Sequence, residues 1–236
     1  MKYGALILVA GLAACGSPGR RAAETPVIRP SEVTDFRVLY TQNCSGCHGI
    51  DGQGALTVAI GSPVYLAIAD NATIRRVIEQ GRPGTAMPAF GQTAGGLLTD
   101  TQIDVLVRGI RESWARPGAL GSDKPPAYAA SQPGDTVRGH NVFTTFCSSC
   151  HGSDGRGGRA GSIVDTSYLA LVSDQHLRTV IITGMPVLGM PDWRSHAPGK
   201  TMSDADVTDV VAWLTSQRLP LAVQLQSLKS NPRSNP

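Results

Sequence analysis

Between residues 31 and 43 (SEVTDFRVLYTQN) the apolar positions 33, 36, 39 and 40 fall on one helical face, which predicts a helix running into the cysteine at 44. Asp70 or Asn71 can cap a second helix carrying Ile74, Val77 and Ile78, with Gly81 as its C-terminal stop. Thr99 followed by Gln102, and Ser203 followed by Asp206, open two more helices before the apolar runs at 103–110 and 207–214. The alternation expected of a strand is nowhere present. The chain reads as all-α.

The pattern also repeats. Cys44, Cys47 and His48 recur as Cys147, Cys150 and His151 at an offset of 103, and Tyr65, Gly81, Met87 and Pro88 recur as Tyr168, Gly184, Met190 and Pro191 at the same offset. After one inserted residue, LTDTQIDVLVRGI at 98–110 matches MSDADVTDVVAWL at 202–214. A tandem duplication accounts for both, with one unit at 31–114 and the other at 135–217. The proline- and glycine-rich stretch 115–134 reads as a linker and 218–236 as a loose polar tail.

Charge narrows the class of partner. The basic residues form no stripe: six Arg face seven acids in 33–113, and five Arg with one Lys face seven acids in 136–217, so the formal net charge of +3 comes from the tails and linker. Nucleic-acid binding is thereby disfavoured.

Residues 1–14 (MKYGALILVAGLAA) have a charged start, an apolar run too short to span a bilayer and a small-residue exit, which predicts an export signal. The stretch from Leu12 to Cys15 (LAAC) resembles the lipobox of bacterial lipoproteins, which implies cleavage before Cys15 and lipidation of it. An ordinary signal peptide with an incidental cysteine is the alternative. Residues 15–30 read as a flexible tether. Several acyl chains on Cys15 would hold the protein at a membrane surface, facing the periplasm or the outside.

The other four cysteines lie in CSGCH at 44–48 and CSSCH at 147–151. Cysteines three apart on a helical turn present both sulfurs to one side, where they can bond the vinyl groups of a haem edge, and the histidine that follows reaches the iron. C-x-x-C-H is the mark of covalent c-type haem attachment. A thioredoxin-like site needs a βαβ setting, a structural zinc site needs a far shorter spacing, and disulfides leave His48 and His151 unexplained. For the sixth iron position spacing selects Met87 and Met190, each 39 residues after its histidine and each followed by a proline that stiffens the backbone. Met185 aligns with Arg82 and reads as packing. His140, His176 and His196 have no counterparts at the repeat offset and read as surface residues. Tyr65 and Tyr168 read as core.

On CSGCH, CSSCH, the TAMPAF and LGMPDW loops and the flanking helices, residues 33–113 and 136–217 each resemble a class I cytochrome c. The resemblance implies an all-α fold for each unit, a few helices wrapped around a covalently attached haem, the first and last helices crossing. It implies two haem c groups bound through Cys44, Cys47, Cys147 and Cys150 and ligated by His48, Met87, His151 and Met190. The duplication is similar to two-haem cytochromes that feed terminal oxidases, which implies a membrane-tethered electron carrier, not an enzyme, between a redox donor and acceptor of the respiratory chain. A two-haem peroxidase and a fixed subunit of a larger oxidoreductase are the alternatives.

Overall fold

In a computed structural model that describes residues 28–54 and 57–219, helices form the regular structure, and β-pairing among these residues is confined to isolated bridges. The first half runs α1 (Phe36–Asn43), α2 (Ser45–His48), α3 (Pro63–Ile68), α4 (Asn71–Gln80) and α5 (Asp100–Trp114). The second repeats the series as α6 (Thr136–Phe146), α7 (Ser148–His151), α8 (Thr166–Leu171), α9 (Asp174–Thr183) and α10 (Asp204–Ser216). The all-α reading holds. The signal segment, Cys15, most of the tether and the tail beyond Leu219 lie outside the described residues.

Local chemistry explains where the helices begin. Asp70 caps α4 by accepting the Thr73 amide at 2.7 Å. Thr99 and Gln102 form a reciprocal capping box on α5, and Ser203 and Asp206 form one on α10. The expected helix from Ser31 is shortened, however: a single 3-10 turn at Pro30–Glu32 comes first, and α1 starts only after Asp35, which caps it by accepting the Val38 amide at 2.8 Å. The buried Gln102 draws the chain into this break by donating to the carbonyls of Pro30 at 2.8 Å and Val33 at 3.0 Å.

The first and last helices of each unit pack together, α1 on α5 and α6 on α10. Both contacts are made at a glycine. A Cβ on Gly109 of α5 would lie 2.2 Å from the Phe36 ring, and one on Gly139 of α6 would lie 2.0 Å from the Asp209 carbonyl oxygen. Phe36 and Gly139 are equivalent in the repeat, as are Gly109 and Trp213. The large and small partners have therefore changed helices between the units. A volume-conserving exchange of this kind preserves the packing.

Arginines tie the last helix to the corner between the middle ones. Arg111 bonds to the carbonyls of Leu66 and Ala69 and to Asn71 Oδ1; Arg218 makes the matching bonds to the Leu169 and Val172 carbonyls and to Asp174. Arg218, read from sequence as the start of a loose tail, is thus a structural residue.

The two units share an interface. α3 packs against α9, Val64 and Ile68 join the core of the second unit, and Val180 joins that of the first. The linker is fastened to the second unit: the Ala127 amide donates to Asp204 Oδ1 at 2.9 Å, and the buried Arg178 donates to the Ala127 carbonyl at 3.0 Å.

Two outcomes follow from these contacts. Helix propensity alone favours alanine over glycine at position 139 by about 1 kcal/mol, but overpacking costs about 1–3 kcal/mol and the obstructing atom is helix backbone. Gly139→Ala should therefore lower the urea midpoint of the haem-loaded protein; a gain would show that α6 and α10 do not touch there. Asp209 is buried and accepts from the Asp135 amide at 2.7 Å and from Arg138 Nε at 2.8 Å. The Arg138 hydrogen bonds hold its carboxyl below the usual carboxylate range, against the opposing effect of burial. A depressed folded-state pKa adds stability above the unfolded value, about 3.9, and that stability is lost as pH falls through the folded value. Asp209→Asn should thus lower the urea midpoint at neutral pH, and its gap from the parent should narrow below about pH 4.

Candidate functional site

α1 delivers the chain to Cys44, where the backbone leaves helical geometry and then makes one more turn, α2. The amides of Cys47 and His48 both donate to the Cys44 carbonyl, at 3.2 and 3.0 Å, and Gly49 with φ of 79° ends the turn. Positions three and four apart share a helical face, so Cys44, Cys47 and His48 are presented together. Tyr40 fastens the turn to α1 by donating its hydroxyl to the Gly49 carbonyl at 2.8 Å. The second unit builds the same turn. The amides of Cys150 and His151 donate to the Cys147 carbonyl at 3.1 and 3.0 Å, and Gly152 at φ of 79° closes it.

Each histidine is oriented by its far nitrogen. Nδ1 of His48 donates to the Val58 carbonyl at 2.9 Å, and Nδ1 of His151 to the Gly161 carbonyl at 3.0 Å. A carbonyl can only accept, so Nδ1 carries the proton and Nε2 keeps its lone pair for a metal. Burial lowers the pKa of His48, which favours that neutral form. Burial also pushes the Cys44 and Cys147 thiols up to about 12. Cys150 departs from this, its pKa lowered chiefly by Arg159 Nη2, which lies 3.1 Å from the sulfur.

The methionines sit on loops folded by glycine. Gly81 has φ of 64° and Gly184 φ of 69°, and a Cβ on either would come within 2.5 Å of the Pro88 or Pro191 backbone. Only glycine admits this turn at the end of α4 and α9. The loops then close on themselves, with the Arg82 amide donating to the Met87 carbonyl at 3.0 Å and the Met185 amide to the Met190 carbonyl at 2.9 Å.

In the first unit Cys44, Cys47, His48 and Met87 line one cavity of about 370 Å³ with mainly apolar walls, among them Ile74 and Ile78. In the second unit Cys147, Cys150 and His151 share the α7 turn, while Met190 lines a shallow hollow with Pro186, Pro191 and Asp192, to which no residue of that turn contributes. Met202 is 2% exposed in the second core, and Met185 and Met190 both pack against the first.

Of the histidines read as surface residues, His140 is exposed and tilts over Trp213 with ring centroids 5.4 Å apart. The other two require correction. His176 of α9 lines the first cavity, its pKa pushed down to about 4 by burial and by His48 and Arg82. His196 is half-buried: its Nε2 bonds to the Ile181 carbonyl at 2.8 Å, and burial, with a smaller contribution from nearby His151, lowers its pKa. Sequence reasoning also missed Arg82 and Tyr128 as cavity residues. The mismatch of Arg82 with Met185 in the repeat was the available signal for the first; Tyr128 carried none. Tyr65 is buried as expected, and both it and Tyr168 line the first cavity.

The donor set suits an iron porphyrin. A cavity of this size is in the range that takes a cofactor, and two thiols, a neutral imidazole and a thioether on its wall are the groups that haem c uses.

Comparison with known proteins agrees. The profile of the family described as cytochrome C oxidase, cbb3-type, subunit III matches twice, at residues 31–108 and 134–214. A cbb3-type cytochrome c oxidase subunit CcoP of Azospirillum sp. (strain B510) is 28% identical over 138 residues, covering 54% of this chain and 42% of the relative. A cytochrome bc1 complex cytochrome c subunit of Mycobacterium bovis is 25% identical over 181 residues, covering 76% of this chain and 64% of the relative. The chain thus spans less than two thirds of either relative's length. A solved Kuenenia stuttgartiensis reducing HAO-like protein complex aligns over 80% of this chain and 99% of its own at 19% identity, with a TM-score of 0.46 that supports no conclusion. Because the family profile covers more than half of the sequence, the chain belongs to the cytochrome c oxidase, cbb3-type, subunit III family and carries two covalently bound haem c groups.

Proposed function

We propose that the protein is a membrane-tethered dihaem cytochrome that passes single electrons between respiratory-chain partners outside the cytoplasm. Bound haem c supplies one-electron redox chemistry. The chain supplies the grip and the surroundings. Cys44 with Cys47, and Cys147 with Cys150, provide the thioether links; His48 and His151 provide Nε2; Met87 and Met190 provide sulfur, which favours ferrous iron and raises the potential.

The observation that carries this reading is the repeated histidine anchor, Nδ1 bonded to a backbone carbonyl at 2.9 Å in one unit and 3.0 Å in the other. It fixes each ring with Nε2 free. A methionine on each glycine-folded loop would supply the second ligand and leave no open position for a substrate, so electrons would leave through the haem edge. A peroxidase would need one such position open, and neither half lacks its methionine. The named relatives are subunits of an oxidase and of a bc1 complex, which supports a second reading of the same chemistry, a cytochrome docked within a larger oxidoreductase. Among the described residues no helix is long and apolar enough to cross a membrane, and the lipid on Cys15 is the proposed anchor.

Redox-titrated optical spectra of the purified protein test the ligand set. Two haems per chain, a weak sulfur-to-iron band at the red end of the oxidised spectrum and no high-spin signal are expected. Met87→Leu and Met190→Leu should each remove about half of that band, and a variant that leaves it unchanged would show its methionine to be no ligand. A high-spin feature in the parent would favour the enzyme. Mass analysis after membrane extraction should find an acylated chain starting at Cys15; a chain starting at Met1, or a mature form without acyl groups, would refute the anchor.

A further inference from the structure

We infer that the second unit and the linker complete the site of the first haem, and that Arg82, Tyr128 and His176 together bind its carboxylates. The inference rests on the proposed attachment of a haem at Cys44 and Cys47. The cavity beside His48 does not end with the first unit. Its wall continues through Tyr128 of the linker and through Tyr168, Gln175 and His176 of α8 and α9.

Haem c brings two carboxylates, which a largely apolar cavity holds only if they are paired. Arg82 is the one Arg or Lys among the lining residues, and no Asp or Glu is among them. Arg82 is half-buried and makes no salt bridge among the described residues. Its guanidinium instead bonds to the Tyr128 hydroxyl and lies over that ring, 5.9 Å from the centroid. Among the described residues it is a cation without an anion, in a site whose cofactor supplies two.

The surrounding groups hold this arrangement in place. Gln175 of α9 donates to the Tyr128 carbonyl at 2.6 Å and to Thr179 Oγ1 at 3.2 Å, and the Tyr128 ring meets the buried Tyr65 edge-on at 6.5 Å. His176 lines the same cavity as Arg82. The set belongs to one site alone. In the repeat Met185 stands where Arg82 does and Thr73 where His176 does, and Tyr128 lies in the linker outside either unit.

A cation paired with the haem carboxylates opposes the charge of ferric iron, so its removal favours the oxidised form of one haem. The haem-loaded full-length protein should be titrated optically as parent, Arg82→Gln, Arg82→Lys, His176→Leu and His140→Leu. Arg82→Gln is expected to lower one of the two midpoints by about tenfold in the reduction equilibrium, about 59 mV for a one-electron couple. Arg82→Lys should restore most of that shift because it keeps the charge, a rescue that lost packing alone would not produce. His176→Leu should move the same midpoint by less, and His140→Leu neither. Should Arg82→Gln fail to mature, His176→Leu, a change on α9 outside the Met87 loop itself, still decides. Both midpoints unmoved in His176→Leu and Arg82→Gln, or both moved equally, would overturn the composite site. The haem count reads the underlying assignment separately: one haem per parent chain would refute the attachment, whatever the midpoints do.

Discussion

Everything in each unit is arranged around two helices that meet at backbone distance. A unit of this size has little apolar surface with which to enclose a flat cofactor, so its first and last helices must come close enough to act as one support. Gly109 permits this in the first unit and Gly139 in the second. The attachment turn follows directly from the end of the first helix, at Cys44 after α1 and at Cys147 after α6, so the helix contact also aims the thiols and the imidazole. Arg111 and Arg218 then bind the last helix to the corner from which α4 and α9 run toward the methionine loops. Both walls of the site are thereby referred to one helix pair.

The joint between the units is built from the same parts. α3 has two occupied faces: Tyr65 lines the first cavity, while Val64 and Ile68 are packed into the second core. α9 does the converse, with Val180 in the first core and Leu177 in the second. The buried Arg178 reaches the linker carbonyl of Ala127, Thr208 Oγ1 and Asp204, so the segment that carries Tyr128 is held against the second unit. The haem site of one unit is therefore walled in part by the other.

What could be read from sequence was what short-range chemistry determines. The caps at Asp70, Thr99 and Ser203, the glycine stops at 81 and 184, and the two C-x-x-C-H turns each depend on a few neighbouring residues, and each was legible. The true start of α1 was not, because it depends on Gln102, some seventy residues away, reaching the Pro30 and Val33 carbonyls. The match of Arg111 with Arg218 was hidden because the second arginine lies nearly one helical turn further on than the repeat predicts. His176 and His196 were misplaced by the assumption that a residue without a counterpart in the repeat has no part in the site. Duplication argues well for what the units share. It is silent on what they do to one another.

That silence matters most for the difference between the two haems. The elements conserved in the repeat are backbone devices: the glycine contact, the attachment turn, the carbonyl that orients histidine, the folded methionine loop. These hold the proposed ligands in each half by the same backbone devices. The residues that differ are those surrounding the centres. Arg82 against Met185, and His176 against Thr73, give the first site a cation and a second donor with no counterparts at the equivalent repeat positions. Arg159 beside Cys150 marks the second turn in turn with a charge of its own. A low-dielectric wall makes such charges count for more than they would in water. The duplicated scaffold thus supplies two copies of the attachment turn, and the substitutions around it give each copy a separate electrostatic environment, which is the condition under which a two-haem chain can impose a direction on electron flow instead of merely storing two electrons.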